Sequence, residues 1–282
     1  MTVGIIGMGY VGTALKEGFK DYHKIETYDI KASLSSCNSI NELVSKSKII
    51  FLCVPTPMNK NGSCDLSIIK NIIDEVGSCI DNQSNKIIVI KSTITPGTTE
   101  KLNQKYQNFN IIFNPEFLTE ANFIEDFKNQ NRIILGGSKS ITTKIKQLYI
   151  KIFPKAKIIE TGSTYSEMVK YFSNTFLATK VSFANEMKMI CDKLDIDYDK
   201  VVEYAIYDNR LGNSHWSVPG PDGKLGFGGS CFPKDINALI QFASELGVDA
   251  TMLKSAWNVN LKVRPEKDWE QLKGRAISDT AD

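Results

Sequence analysis

At 282 residues the chain is long enough for two domains with separate cores, and its 42% hydrophobic and 23% charged residues are ordinary for a globular protein. A formal net charge of +2 with dispersed lysines gives no basic stripe for nucleic acid, and no apolar run approaches the ~20 residues that span a bilayer. The 6 cysteines have no Cys-x-x-Cys spacing and only 2 histidines accompany them, so no metal site is expected, and a start without a signal-peptide layout favours a cytoplasmic setting with reduced thiols.

Val3-Gly4-Ile5-Ile6 reads as a short apolar strand, followed by Gly7-Met8-Gly9-Tyr10-Val11-Gly12 and a helical pattern through Val11, Leu15 and Phe19. Ile25 to Tyr28 is the next strand, with Asp29 at its tip. Gly-x-Gly-x-x-Gly between a strand and a helix, with an acid closing the second strand, is a dinucleotide-binding arrangement. The glycines make the turn and admit a pyrophosphate to the helix N-terminus. Asp29 suits the adenosine ribose hydroxyls and repels a 2′-phosphate, so NAD is expected over NADP, a preference that Lys31 tempers. A glycine turn without a ligand is the alternative.

The alternation continues. Lys48 to Val54 is a third strand, ended by Pro55-Thr56-Pro57. A loop at the carboxyl end of a parallel strand lies where cofactors bind, which brings in Val54, Pro55 and Thr56. Residues 66–80 are helical, Lys86 to Lys91 form a strand ending in Ser92-Thr93, and Pro96-Gly97-Thr98-Thr99 opens another helix. The strand Asn110 to Phe113 leads into Asn114-Pro115-Glu116-Phe117-Leu118-Thr119-Glu120, where Glu116 and Glu120 align if a helix begins after Pro115. Arg132 to Leu135 and Lys157 to Ile159 complete the series. The expected fold class is α/β: a Rossmann-like doubly wound parallel sheet over residues 1–160.

A helical domain follows over 161–282. From Thr164 to Leu194 there is no Gly or Pro. Met168, Phe172, Phe176, Phe183, Met187, Ile190 and Leu194 keep helical spacing, and Leu177, Val181 and Ala184 form a second line, so burial of much of this helix is expected. At ~1.5 Å per residue it spans roughly 45 Å, more than a small domain needs, and a homodimer through it is expected. Lys170 and Asn174 share one face, and a lysine among apolar neighbours requires an anionic partner or a substrate oxygen. Further helices are expected near 197–207, 234–246 and 250–263.

Before the second of these stands Gly226-Phe227-Gly228-Gly229-Ser230-Cys231-Phe232-Pro233-Lys234-Asp235. Pro233 suits a first helical turn, which puts Cys231 just ahead of a helix N-terminus and beside Lys234. Both the dipole and the ammonium favour a thiolate, and the glycines let a ligand approach the backbone. A glycine-rich turn around a buried cysteine is the plainer alternative.

The dinucleotide fingerprint, Lys-x-x-x-Asn on the long helix and the cysteine run together resemble the UDP-glucose/GDP-mannose dehydrogenase family. Lys91-Ser92-Thr93, Asn114 to Leu118, Glu167 to Asn174 and Arg210-Leu211-Gly212 match as well, in family order over nearly the whole chain. The resemblance implies NAD-dependent four-electron oxidation of a nucleotide sugar's primary alcohol to a carboxylate. UDP-glucose is the expected sugar, and GDP-mannose or a UDP-N-acetyl sugar the alternative. By the same resemblance Cys231 is the nucleophile, Lys170 and Asn174 stabilise an oxyanion, Asp235 positions a water, and Glu116 is the acid/base with Thr93 nearby. Ser92, Thr93, Glu120 and Lys234 join the cofactor-binding residues. Glu116, Phe117, Leu118, Glu120, Lys170, Asn174, Arg210, Phe227, Gly228 and Gly229 fall to the substrate, Arg210 reaching the neighbouring subunit's site. Family members of usual length carry a third, C-terminal nucleotide-binding domain that the 282 residues do not include. Lys224, in an insertion over 218–224, is expected to supply part of that phosphate contact. A two-electron hydroxy-acid dehydrogenase, against which the cysteine run argues, and a catalytically weak NAD-binding subunit are the other readings.

Overall fold

A computed structural model of the chain describes residues 1–80 and 85–279. It divides into two compact units, one of Met1–Thr56 with Leu66–Lys170, the other of Pro57–Asp65 with the chain from Tyr171 onward.

The first unit is a seven-stranded sheet in the order β2-β1-β3-β4-β5-β6-β7. Its strands are β1 (Thr2–Ile6), β2 (Lys24–Tyr28), β3 (Ile49–Leu52), β4 (Ile87–Ile90), β5 (Asn110–Phe113), β6 (Arg132–Gly136) and β7 (Lys157–Thr161). All four residues of β3 and of β4 are buried, as expected for parallel strands covered on both faces. Alternate residues feed two cores: Val3, Ile5, Phe51 and Val89 on one side, Ile6, Ile50, Leu52 and Ile88 on the other. The helices are α1 (Tyr10–Phe19), α2 (Ile40–Lys46), α3 (Ser67–Ser78), α4 (Thr98–Lys105), α5 (Phe123–Lys128) and α6 (Lys139–Ile152). Strand order reverses between β1 and β3, which opens a crevice at their carboxyl ends.

The sheet departs from all-parallel at one place, where β6 meets β5 antiparallel through Phe113 and Gly136. The connection carries only the 6-residue α5. With no full crossover helix to carry the chain to the far end of the sheet, β6 enters from the end that β5 left.

The second unit is helical. It contains the greater part of α7 (Ser163–Lys193), then α8 (Tyr198–Ala205), α9 (Phe232–Glu245) and α10 (Thr251–Val263). Small cores gather Ala178 with Phe227, Ile236 and Ala256, and Tyr171 with Ala238 and Leu239. The segment Pro57–Asp65 is tied in by Met58 N–H donating to Ala276 O (2.9 Å) and Ser278 N–H donating to Met58 O (2.8 Å). Residues 280–282 of the expected second domain lie outside the described residues.

Helix α7 corrects one expectation. Phe172, Phe176 and Phe183 are 68%, 61% and 52% exposed, and Met168, Ile190 and Leu194 are exposed with them. The second line does turn inward, with Ala184 buried and Leu177 and Val181 half-buried, and beside it the polar Ser166, Glu167, Lys170, Asn174, Thr175, Ser182 and Asn185 are buried. Each of these polar groups has a hydrogen-bond partner, which removes most of the cost of burying it. Among the described residues no helix is long and apolar enough to cross a membrane, and no group of three or more His, Cys, Asp or Glu could hold a metal ion.

Candidate functional site

The glycine loop closes the crevice between β1 and β3. Gly7 has φ +90°, and a Cβ there would meet Cys53 O at 2.7 Å, so only glycine fits the turn. A Cβ on Gly12 would lie 2.0 Å from Gly7 O, which makes the third glycine a condition of packing α1 on the loop. Gly9 is different: a Cβ there meets nothing within 4 Å. Gly9 also caps α1 without any side-chain acceptor for the first amides, leaving an anion-receptive helix end. Asp29 Oδ2 accepts from Met8 N–H (2.7 Å) and Oδ1 from Lys31 N–H (2.9 Å), which fastens the acid beside the loop. Open space at Gly9, bare amides at α1 and an anchored carboxylate fit a dinucleotide. Tyr10 and Val11 begin α1 half-buried, while Met8 and Gly12 are buried.

Next along the sheet, Thr56 Oγ1 donates to Thr93 O (2.7 Å), and Ser92 Oγ donates to Val54 O (2.5 Å). Val54, Thr56 and Thr93 are buried, and Pro55 is exposed. The loops after β3 and β4 are thus locked together.

Beyond β5 the chain does not enter a helix at Pro115; none begins until Phe123. Glu116 turns its carboxylate back on its own segment, Oε2 accepting from Leu118 N–H (2.7 Å), a local bond that competes with helix formation. The expected alignment of Glu116 and Glu120 is therefore absent: Glu116 is 8% exposed, while Glu120 lies at the surface. Lys170 Nζ, 2% exposed, donates to Glu116 Oε1 (2.8 Å) and Glu116 O (2.6 Å). The anionic partner that a buried Lys170 requires is thus Glu116. Burial raises the Glu116 carboxyl, but the Lys170 ammonium, its hydrogen bond and the Leu118 amide outweigh it and hold the group below the usual carboxylate range. Phe117 lies under two cations, with the Arg132 guanidinium 4.2 Å and Lys170 Nζ 5.5 Å from the ring centroid, and Leu118 is half-buried. On the same helix as Lys170, the buried Glu167 accepts from Gly97 N–H (2.6 Å) and Thr99 N–H (2.8 Å), taking the bare amides at the start of α4.

In the second unit, Cys231 is the N-cap of α9 and Pro233 lies in its first turn. Asp235 is 1% exposed, and its Oδ2 accepts from Asn174 Nδ2 (2.6 Å) while Oδ1 takes a short bond from Lys234 Nζ. Burial works against the Lys234 cation, but Asp235, Cys231 and Cys64 together raise its pKa, so it stays an ammonium. The cysteine loop is held by a ladder that the sequence reading did not identify. Asn260 Oδ1 accepts from Phe227 N–H (2.7 Å), and its Nδ2 donates to Phe227 O (3.0 Å). Asn185 Oδ1 accepts from Gly226 N–H (3.1 Å). Arg264, 1% exposed, donates to Leu225 O (3.2 Å), Asp222 Oδ2 (2.6 Å) and Asp268 Oδ1 (2.6 Å). A Cβ on Gly228 would strike the Arg264 guanidinium at 2.4 Å, and Gly229 has φ +69°. The i, i+4, i+8 spacing of Asn260, Arg264 and Asp268 is the sequence signal that could have found them.

Two further residues expected to contact substrate lie at the surface of the second unit. The Arg210 side chain, 89% exposed, forks onto Asp208 at the surface. Lys224 is also exposed, 3.6 Å from Glu266.

Two family models match this chain. The NAD binding domain of the UDP-glucose/GDP-mannose dehydrogenase family covers residues 23–153, and the same family's central domain covers 164–262. A UDP-glucose 6-dehydrogenase of Haloferax volcanii is 30% identical, with 98% of this chain and 73% of that protein covered. One of Bacillus subtilis (strain 168) is 33% identical over 85% of this chain and 52% of its own length, so the chain spans about half of that relative. The structure of a UDP-glucose dehydrogenase from Pyrobaculum islandicum superposes with a TM-score of 0.86 at 31% identity, covering 96% of this chain and 70% of the other.

Proposed function

Because the chain belongs to the UDP-glucose/GDP-mannose dehydrogenase family, we propose that it carries out NAD-dependent oxidation of a nucleotide sugar, UDP-glucose first among them, from primary alcohol to carboxylate. The observation that carries the reading is Cys231 at the N-terminus of α9 beside the buried Lys234–Asp235 pair. An oxidation that stopped at two electrons has no use for a thiolate there.

Gly7 to Gly12 and Asp29 would hold NAD, which would supply the hydride acceptor for each of the two oxidations. Transfer of a hydride to that acceptor, as a base takes the hydroxyl proton, would take the alcohol to an aldehyde. The Cys231 thiolate then adds to the aldehyde carbon, forming a C–S bond and pushing the carbonyl electron pair onto oxygen. The Lys170 ammonium and the Asn174 amide are the donors for that oxygen, and Asp235 orients the Asn174 amide it already holds at 2.6 Å. Transfer of a second hydride, to a second NAD, would leave a thioester. Glu116, kept ionised by Lys170, takes a proton from the water that attacks this thioester, and the C–S bond breaks to return the thiolate. We assign Thr93, Ser92 and Thr56 to the cofactor, and Phe117, Phe227, Gly228 and Gly229 to the sugar. We assign the exposed apolar line of α7 to a second copy of the chain, with Arg210 directed to that copy's substrate.

The test is stoichiometric. The purified chain with NAD and UDP-glucose is expected to form two NADH per sugar consumed, and Cys231→Ser to form no acid. GDP-mannose and UDP-N-acetyl sugars run in the same assay rank the alternatives. Absence of turnover with all of them would sink the enzymatic reading, and full activity of Cys231→Ser would sink the covalent route.

A further inference from the structure

Lys91 is a buried charge for which the proposed reaction has no role. It directly follows β4, is 4% exposed, and its backbone N–H donates to Leu52 O (2.9 Å). Its Nζ donates to Asn114 Oδ1 (3.0 Å) and Asn114 O (3.2 Å). Asn114 is fixed from two further sides: Tyr149 OH of α6 donates to Oδ1 (2.5 Å), and Nδ2 donates to Ile134 O of β6 (2.9 Å). The peptide carbonyl that Lys91 holds joins Asn114 to Pro115, the residue before Glu116. Lys170 grips the other end of that turn through Glu116 O and Oε1. Two ammonium groups therefore clamp three consecutive residues.

A neutral donor would satisfy Asn114, so hydrogen bonding alone does not account for a cation there. Burying an ammonium whose hydrogen bonds go to the Asn114 carbonyl and amide oxygens rather than to a carboxylate is costly, and burial draws the Lys91 pKa down to about 8. The titratable groups that act on it are Cys53 after β3, Glu116 after β5 and Lys170 on α7. Burial pushes the Cys53 thiol up to about 12, and it pushes the neighbouring Tyr149 hydroxyl up as well, so both are neutral near pH 7. Glu116 is the anion that remains, and Lys91 lowers its proton affinity in turn.

We propose that Lys91 is a positioning residue for Glu116, fixing the Asn114-Pro115-Glu116 turn and, with Lys170, keeping that carboxylate ionised as the base for thioester hydrolysis. The proposal rests on the reading of Glu116 given above, and its test does not depend on turnover. In the full chain labelled with ¹³C-carboxyl glutamate, the Glu116 resonance is assigned by its loss in Glu116→Gln and titrated by NMR. Lys91→Met is expected to raise the Glu116 midpoint by at least about one pH unit, a tenfold gain in proton affinity. Lys91→Gln keeps a donor for Asn114 without the charge, and the same rise is expected there even if the Met variant does not fold. Under turnover, the acid limb of kcat is expected to move by the same amount with KM for NAD unchanged. A Glu116 midpoint that stays put in Lys91→Gln overturns the proposal, whereas an inactive wild-type chain overturns only the functional reading.

Discussion

The Lys170–Glu116 pair gives a prediction that can be worked through independently of activity. Both side chains are almost fully buried, and the ammonium is the main favourable influence on the carboxylate. Lys170→Met strands a buried anion, which costs about 3–5 kcal/mol when one partner of a buried pair is removed. For a domain of this size each kcal/mol lowers Tm by roughly 2–4 °C, so a fall of about 6–20 °C is expected at pH 7. The sign with pH follows from the shift. The folded Glu116 carboxyl lies below its unfolded value, so its contribution is complete above the unfolded pKa of ~4.3 and is lost as pH falls through the folded one. Without Lys170 the burial effect dominates, the carboxyl rises above its unfolded value, and the variant's deficit shrinks as the medium is acidified. Glu116→Gln in the Lys170→Met background removes the stranded charge and is expected to restore most of the loss. Amide exchange of Ile111, Ile112 and Phe113 in β5 reports the first unit alone and is the measurement of choice. A Lys170→Met chain within about 1 kcal/mol of wild type, or a double variant no better than the single, refutes the coupling.

Two glycines separate folding from ligand binding. Gly12→Ala drives a Cβ onto Gly7 O at 2.0 Å and is expected to lower Tm and NAD affinity together; Gly9→Ala meets nothing and is expected to leave Tm unchanged while weakening NAD by about tenfold or more in calorimetry. Equal NAD affinity in Gly9→Ala would mean that the phosphate lies elsewhere. Phe176→Glu, on the exposed line of α7, is expected to convert a sedimenting dimer to monomer without loss of helicity; a wild-type chain that sediments as a monomer at all concentrations would remove the assignment.

The strands and the glycine loop were legible because their chemistry is local. Ile49 to Leu52 and Ile87 to Ile90 are continuous apolar runs, and such runs need only cover on both faces. The Glu116 segment was not legible as anything but a possible helix, since the bond from Leu118 N–H to its carboxylate is invisible to periodicity. Lys91 read as the polar end of a strand, and nothing in Lys-Ser-Thr signals that its ammonium turns inward to Asn114, 23 residues on. The Asn260, Arg264 and Asp268 ladder failed to stand out for a related reason. Three polar residues at helical spacing usually mark a solvated face, and only the tight approach of Gly228 to the guanidinium shows that this face is inside.

Helix α7 shows why an amphipathic pattern does not by itself say which side is buried. Periodicity separates two faces but gives neither of them an address. The polar face of α7 went inward because each group on it has a fixed partner: Glu167 the amides of α4, Lys170 the Glu116 carboxylate, Asn174 the Asp235 carboxylate. Charged and amide groups act more strongly on a reacting oxygen when water is kept away, so burial is what a catalytic face requires. With Ala178 and Ala184 filling what remains of the inward side, the phenylalanine line has no interior left to enter. Phe172, Phe176 and Phe183 each leave more than half of their surface exposed; at ~25 cal/mol per Å² and ~200 Å² per ring, covering that exposed part contributes roughly 3 kcal/mol apiece. A second copy presenting the same line would double that sum, enough to offset the several kcal/mol that association costs. On the proposed reading, the polar positions of α7 that face inward are those assigned to chemistry, and the exposed phenylalanine line is the face assigned to a second copy.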